Sequence, residues 1–358
     1  MLPLKSLRIM PRAALARQLS TGARPPRVLV TGSLGQLGST MVSTLRAKLG
    51  QENVVASDIR KPARGQRDLG PFVYADVLNR RALEQIIVDH GIDWVVHFSA
   101  ILSAAGERNP ALGLDVNING FQNVLELARI HGLRVLSPST MGAFGPTTPK
   151  DMTPDLTIMR PNTIYGISKV HMELLGEYYC EKFGVDFRSL RYPGIISADS
   201  PPGGGTTDYA IDIFHAALKQ NRYTCFLRPE TRLPMAYIDD CIVGTMQLLE
   251  APQEALTQRV YNVHACDFSP EELADEVRRQ HSADFAIDYC PDFRQGIADT
   301  WPRTMADEPA RRDWGWNPVI GTTDIVRIML AKLAPAYRAS AAPGRPTDEA
   351  LGAEPVAL

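Results

Sequence analysis

No aspartate or glutamate precedes Glu52, although the same stretch carries Lys5, Arg8, Arg12, Arg17, Arg24 and Arg27. Its apolar residues are mixed among these bases instead of gathered into one core. That argues against a secretory signal and matches the composition of a mitochondrial transit peptide. Arg17-Gln18-Leu19-Ser20 reads as a matrix-protease cleavage site, so a mature start near Ser20 and a matrix location are expected. Cysteine is scarce: Cys180, Cys225, Cys241, Cys266 and Cys290 are scattered, with no C-x-x-C pair. This suggests neither a disulfide framework nor a zinc site, and it suits a reducing compartment. No apolar run is long enough to span a bilayer. A net charge of -2 leaves no broad basic footprint for nucleic acid. The expectation is a protein without metal, membrane or nucleic-acid partners.

What is present is an ordinary globular balance, 44% hydrophobic and 22% charged, in a chain long enough for a sizeable core. Short apolar, β-branched runs over 27–31, 53–57, 72–75, 93–99, 133–137 and 186–192 alternate with helical patterns over 36–49, 79–90, 116–131 and 165–183. Strand and helix in alternation predict βαβ units and a parallel sheet covered on both faces. The strands lack strict polar alternation, as strands buried on both sides do. After Pro193 the texture changes. A turn-rich loop PPGGGTTD (201–208) leads to helices over 210–219 and 239–250, a strand over 260–263, and a helix over 269–280. Ser269 and Glu272 are spaced as a capping box for the last of these. The organisation expected is a transit peptide over 1–24, a dinucleotide domain over 25–194, a substrate lobe over 195–335 whose chain returns to the first domain, and a disordered tail over 336–358, rich in Ala, Pro and Gly. The fold class is α/β, a Rossmann doubly wound parallel sheet with a smaller C-terminal substrate-binding lobe.

The first strand runs into Gly32-Ser33-Leu34-Gly35-Gln36-Leu37-Gly38, a G-x-x-G-x-x-G turn. Such a turn lets the backbone approach a pyrophosphate and packs the helix on the strand, and the helix N-terminus offers free N–H groups. A lone glycine triplet is also an ordinary strand-to-helix turn. Here it follows a strand, opens a helix, and Asp58 stands at the tip of the second strand. A carboxylate there accepts from adenosine ribose hydroxyls and repels a 2′-phosphate, so NAD is expected over NADP. Arg60 and Lys61 read as a solvated turn, the alternative being that a basic residue there meets such a phosphate.

Tyr165-Gly166-Ile167-Ser168-Lys169 is Y-x-x-x-K, and an i, i+4 spacing puts both side chains on one helix face. A phenol with a reference pKa of about 10 is a poor base. An ammonium about 4 Å away, at an effective dielectric near 20, is worth about 4 kcal/mol. That is up to roughly three pKa units, enough to bring the phenol near neutrality. Ser139 and Thr140 follow the strand over 133–137 at its carboxyl end, where ligands sit in an open parallel sheet. A hydroxyl there holds a substrate oxygen; the plain alternative is turn chemistry.

The glycine turn, strand-end acid, strand-end hydroxyl and Y-x-x-x-K, in that order, resemble the extended short-chain dehydrogenase/reductase family, which includes NAD-dependent epimerases and dehydratases. The resemblance covers about Arg27 to Pro335. More narrowly, TGSLGQLG, SDIRKP, HFSAILSA, PSTMGAFGP, RPNTIYGISKVHMELLGEYY, LRYPGIISADSPPGGGTTDYA, RLPMAYIDDC and WPRTMADEPARRDWGW are similar to its threonine-oxidising branch in the mitochondria of animals and related eukaryotes. The resemblance implies oxidation of the C3 hydroxyl of L-threonine with NAD, giving 2-amino-3-oxobutanoate and NADH. It implies that Gly32, Ser33, Leu34, Gly35, Gln36, Leu37 and Gly38 bind pyrophosphate, with Asp58, Ile59 and Arg60 at the ribose. Asp76 and Val77 then lie near the adenine, with Ser99 and Ile195 also on the cofactor. Tyr165, Lys169, Thr140 and Ser139 carry catalysis. Ser33 stands where many relatives have glycine, and a serine there requires a negative φ. The helices over 116–131 and 165–183 form a homodimer interface by the same resemblance.

Threonine is a zwitterion. Ser103 is a candidate hydroxyl for it, and Gly205, Thr206 and Thr207 offer donors for a carboxylate. Asp208 either meets the ammonium or caps the helix that follows. Arg191 and Arg232 read as ion-pair partners, His97 as a satisfied core residue, His171 as lying off the catalytic face, and Tyr178 and Tyr179 as interface or core. Three other functions compete. A sugar-nucleotide epimerase or dehydratase shares the fold, but dehydratases carry an acidic pair where Met141 and Gly142 follow Thr140. A non-catalytic NAD-sensing regulator would usually lack the Tyr/Lys pair. A zinc-dependent threonine dehydrogenase would need a cysteine-rich metal site.

Overall fold

The computed structural model describes residues 24–62, 69–200, 203 and 205–340. The basic N-terminal segment expected to be a transit peptide, the tail from 341 onward, and Pro201, Pro202 and Gly204 of the glycine-rich loop lie outside them. The strands are β1 (Val28–Thr31), β2 (Val54–Asp58), β3 (Phe72–Tyr74), β4 (Trp94–His97), β5 (Arg134–Leu136), β6 (Ser139–Thr140), β7 (Asp186–Tyr192), β8 (Gly194–Ile196), β9 (Arg222–Cys225), β10 (Leu233–Tyr237), β11 (Val260–Asn262), β12 (Cys266–Phe268) and β13 (Ala286–Tyr289). The longer helices are α1 (Gln36–Leu49), α2 (Arg80–His90), α3 (Phe121–His131), α4 (Ile164–Phe183), α5 (Tyr209–Gln220), α6 (Ile238–Glu250), α7 (Pro270–Gln280) and α8 (Thr322–Ser340).

The main sheet runs β11-β7-β5-β4-β1-β2-β3, with β6 also paired to β7. Every pairing in it is parallel. Strand order reverses between β1 and β4, the switch point where such sheets open a crevice for ligands. Successive residues of a strand point to opposite faces, and the core divides accordingly. Val28, Val30, Val54, Ala56 and Val96 pack with Met41, Val42 and Leu45 of α1 and with the later part of the chain. Leu29, Val55, Val95 and Val135 pack on the other face with α2, α3 and α4. A three-stranded sheet β12-β10-β8 and a two-stranded sheet β13-β9 lie off the main sheet.

Local chemistry sets the helix ends. The Asn79 side chain accepts from Ala82 N–H at the start of α2, and Thr163 from Gly166 N–H at the start of α4. Ser269 and Glu272 form the expected capping box of α7. Two helices differ from expectation. The 116–131 helix is preceded by a π-helical turn, Asp115–Gly120, before α3 begins. The Asn117 side chain there leaves the helix to bond the Ile101 N–H and C=O at 2.7 and 2.9 Å. Gly120 lies so close to Val77 that a Cβ would stand 2.7 Å from its methyl. Single π turns of this kind are frequent at functional sites. The final helix runs through Pro335 to Ser340, past the disorder expected from 336. Proline breaks a helix only by losing one N–H and crowding one carbonyl, and Leu333 and Tyr337 on either side pack onto neighbouring elements. No helix among the described residues is long and apolar enough to cross a membrane.

Candidate active site

Several residues singled out in the sequence lie at the carboxyl ends of the parallel strands: Gly32 after β1, Asp58 at the end of β2, Ser99 after β4, and Ser139 and Thr140 after β5. Gly32 follows β1 with φ +65, a conformation that favours glycine. A Cβ there would stand 2.7 Å from Ser99 N, and one on Gly38 would stand 2.2 Å from Gly32 O. Both glycines are therefore required by contact between the turn, the end of β4 and the first turn of α1. Ser33 has a negative φ, and its N–H donates to Ser57 O at 3.0 Å. Its hydroxyl is buried and has no protein partner. No side chain caps α1 at Gly35. A closely approachable turn, an uncapped helix start and an orphaned buried hydroxyl together fit a bound pyrophosphate.

Asp58 closes the turn from the side. Its Oδ2 accepts from Leu34 N–H at 3.0 Å, and its Oδ1 accepts from Arg60 N–H at 3.0 Å and from Arg60 Nε at 3.3 Å. The Arg60 guanidinium thus folds back on the strand-tip acid from the surface. Ile59 is exposed beside it. Asp76 receives Leu78 N–H in the turn after β3 while Val77 is buried. Ile195 lies in β8, paired with Ala236 of β10.

The Y-x-x-x-K pair sits in the first two turns of α4. The Thr140 hydroxyl lies close enough to the Tyr165 phenol to lower its pKa, and Gly142 N–H donates to Thr140 Oγ1 at 3.1 Å. The Lys169 ammonium stands 5.7 Å from the centre of the Tyr165 ring and donates to Pro138 O at 2.7 Å. Burial dominates the electrostatics here. It pushes the Tyr165 phenol up to about 12, against a downward pull from the Thr140 hydrogen bond. It brings the Lys169 ammonium down to about 8, against the upward pull of the Glu173 charge. The lysine therefore does not by itself bring this phenol toward neutrality, as spacing alone suggested. Desolvation of the phenolate dominates instead, and the lysine charge is not among the causes that move it.

Ser139, expected beside Thr140, turns the other way. Its hydroxyl donates to Glu173 on α4, not to Tyr165. His97 is buried as expected, its Nδ1 2.8 Å from Thr31 Oγ1. Burial, and secondarily the Lys169 charge, hold it down to about 3, so it stays neutral. Arg191 pairs with Glu173, and Arg232 with Asp267 and Glu272. Among the described residues no group of three or more His, Cys, Asp or Glu could hold a metal ion.

Thr207, just before α5, borders the same edge. Thr140 stands opposite Tyr192 in the β6–β7 register. Two residues on, Gly194 lies against Thr207, so that a Cβ would be 2.8 Å from its methyl. Thr206 is buried, and Gly205 N–H donates to Asp208 Oδ2 at 2.8 Å. Asp208 does not cap α5 with its side chain, which removes that one of its two expected roles. Ser103 is buried at the start of the short helix Ser103–Arg108. Glu107 of that helix accepts from Ile164 N–H at the mouth of α4, at 2.8 Å. Three further residues were not singled out for the site from sequence. Asn117 donates to Ser168 Oγ at 3.0 Å beneath the catalytic turn. Trp301 stands over the turn after Thr140, 3.6 Å from where a Gly142 Cβ would be. Glu173 continues the face of Tyr165 and Lys169 at a further i+4, the one signal that could have disclosed it.

Residues 28–263 match the NAD dependent epimerase/dehydratase family. The chain is 55% identical over 309 residues to the mitochondrial L-threonine 3-dehydrogenase of Sus scrofa, covering 86% of this chain and 83% of the relative. The crystal structure of an L-threonine dehydrogenase from Phytophthora infestans superposes with a TM-score of 0.84 at 51% identity, over 87% of this chain and 99% of that one. A monomeric L-threonine 3-dehydrogenase from a metagenome superposes with a TM-score of 0.83 at 41% identity, over 87% and 99%.

Proposed function

The chain belongs to the NAD dependent epimerase/dehydratase family, and from that premise we propose that it oxidises L-threonine at C3, giving 2-amino-3-oxobutanoate and NADH, as its relatives' names indicate for them. The observation that carries the reading is the Thr140–Tyr165 hydroxyl pair at the carboxyl edge of the sheet, with Lys169 behind it. Gly32 to Gly38 would hold the pyrophosphate of NAD, Asp58 with Ile59 and Arg60 the adenosine ribose, Asp76 and Val77 the adenine edge, and Ser99 and Ile195 the nicotinamide half. The Asp58 carboxylate favours NAD over NADP. When bound, oxidised NAD supplies the hydride acceptor and a positive charge beside the phenol.

The chain's own residues handle the proton. Thr140 orients the substrate hydroxyl, and Tyr165 takes its proton as general base. Lys169 has three donors and spends one on Pro138 O. The others are free to hold the cofactor ribose, and its charge favours the phenolate. Ser103, Gly205, Thr206, Thr207 and Asp208 suit the carboxylate and ammonium of the amino acid. The alcohol loses a hydride and a proton, and the products are a ketone, NADH and a proton. The reading extends to a homodimer packed through α3 and α4 and to the mitochondrial matrix.

Steady-state NADH formation with L-threonine tests it. Tyr165→Phe keeps the ring and removes the base, so kcat is expected to fall by about a hundredfold or more, with NAD affinity by fluorescence retained. A variant keeping more than about a tenth of wild-type kcat would lie outside that range and remove Tyr165 as the base. A wild-type enzyme inert toward L-threonine would remove the substrate.

A further inference from the structure

Ser139 and Thr140 are consecutive in β6, so their side chains leave the strand on opposite faces. Thr140 meets Tyr165, whereas Ser139 points inward to Glu173 Oε1. Glu173 lies one turn beyond Lys169 on α4. Arg191 grips both of its oxygens, Nε to Oε1 at 2.9 Å and Nη2 to Oε2 at 2.8 Å. Arg191 is the residue opposite Ser139 in the β6–β7 register. Its remaining nitrogen donates to Asp155 O at 2.8 Å and to Asn262 Oδ1 at 3.1 Å. Glu173 and Arg191 are 1% and 3% exposed. A buried ion pair of this kind stabilises no better than a well-packed apolar pair of the same volume. What it supplies is directional: a carboxylate held at one place, between the strand that carries Thr140 and the helix that carries Tyr165 and Lys169.

We propose that Glu173 is a positioning residue of the reaction, aiming Thr140 at Tyr165 by way of Ser139, with its charge facing the Lys169 ammonium one helical turn away. This rests on the general-base reading of Tyr165. The groups facing Lys169 are Tyr165 and Glu173 on its own helix, neutral His97 on β4 and the Pro138 carbonyl. Arg191 on β7, Glu177 on α4 and Asp155 lie around Glu173. Glu173 raises the lysine against the effect of burial. Without that carboxylate Lys169 loses its proton at lower pH, and the phenolate loses its partner there.

Two variants of the full chain test the proposal with NAD and L-threonine. Ser139→Ala breaks only the link to β6. Glu173→Gln made together with Arg191→Gln removes both charges, because the single change would strand a buried guanidinium. With Ser139→Ala, kcat is expected to fall about tenfold, since a small misplacement near the chemistry can cost up to about a hundredfold. The KM for NAD is expected to stay within about twofold, because the cofactor contacts are untouched. In the double variant the alkaline limb of kcat is expected to move about one pH unit lower, because of the two charges removed it is Glu173 that acts on Lys169. Wild-type kcat and an unmoved alkaline limb in both variants, with NAD affinity intact, would overturn the proposal. So would a lower melting temperature with kcat and pH profile unchanged. If the double variant does not fold, the kcat of Ser139→Ala decides alone. An inactive wild type would instead overturn the substrate reading, so the two failures are distinguishable.

Discussion

At the scale of single residues, His97 makes acid stability the most direct observable. Its ring is neutral and buried, with a folded pKa near 3 against 6.5 for a free imidazole. The unfolded chain takes up the proton first as pH falls. Between 6.5 and 3 the unfolded state therefore binds more protons, and stability falls with falling pH by at most about 1.4 kcal/mol per unit from this group. The stability His97 contributes is fully present above pH 6.5 and is gone once pH has fallen through the folded value. Melting temperatures measured from pH 7 to 4 are expected to drop. His97→Gln, which still offers a polar group to Thr31, is expected to drop less steeply. Parallel curves for the two proteins would place acid sensitivity elsewhere. Tyr165 carries a related lesson. The i, i+4 spacing was legible, but the sign of the net pKa shift was not, because desolvation depends on what surrounds the ring and not on which residue lies four positions on.

Among the elements, α4 presents two distinct faces. Tyr165, Lys169 and Glu173 face the sheet at intervals of four. Ile167, Leu174 and Tyr178 face outward, Leu174 and Tyr178 being 57% and 52% exposed. Phe183 lies edge-on to Tyr178, with the Arg129 guanidinium of α3 5.5 Å from its ring centre. An exposed apolar stripe along α4, edged by Arg129 of α3, suits a self-complementary interface. Light scattering of the wild-type protein is expected to give twice the chain mass, and Leu174→Asp combined with Tyr178→Asp to give the single chain. A wild-type monomer, the state named for a relative 41% identical to this chain, would remove the interface. Not every element was legible. The α1 and β7 boundaries and the α7 capping box follow from local chemistry and were read directly. β8 and β10 were not, because all five residues of β10 are buried and Pro234 sits among them, leaving no period and a proline that argues against a strand. They pair in parallel across a long sequence gap.

For the molecule as a whole, a mitochondrial leader is the expectation that rests on composition alone. The expectation is that the first thirty residues, fused to a fluorescent reporter, carry it into mitochondria. A diffuse cytosolic signal would count against the address. The sheet topology then explains why residues as far apart as Gly32, Asp58, Ser99, Thr140 and Thr207 share one edge. Parallel strands joined by right-handed crossovers bring all their carboxyl ends to the same side.

The amino-acid sequence by itself determined the features whose causes are local. These are the glycine turn, where a side chain cannot fit; the i, i+4 pair on one helix; the alternation of apolar runs that makes a parallel sheet; and the capping residues. The tertiary structure decided what depends on neighbours distant in the chain. Ser139 and Thr140 are adjacent and chemically alike, yet one faces Tyr165 and the other Glu173, because β6 is pinned against β7 with Ser139 opposite Arg191. Asp208 accepts from Gly205 and does not cap the helix it precedes. The ionisation of Tyr165, Lys169 and His97 is governed by how much water the packed fold excludes from each. That exclusion is a property of the assembled core, which no window of sequence contains.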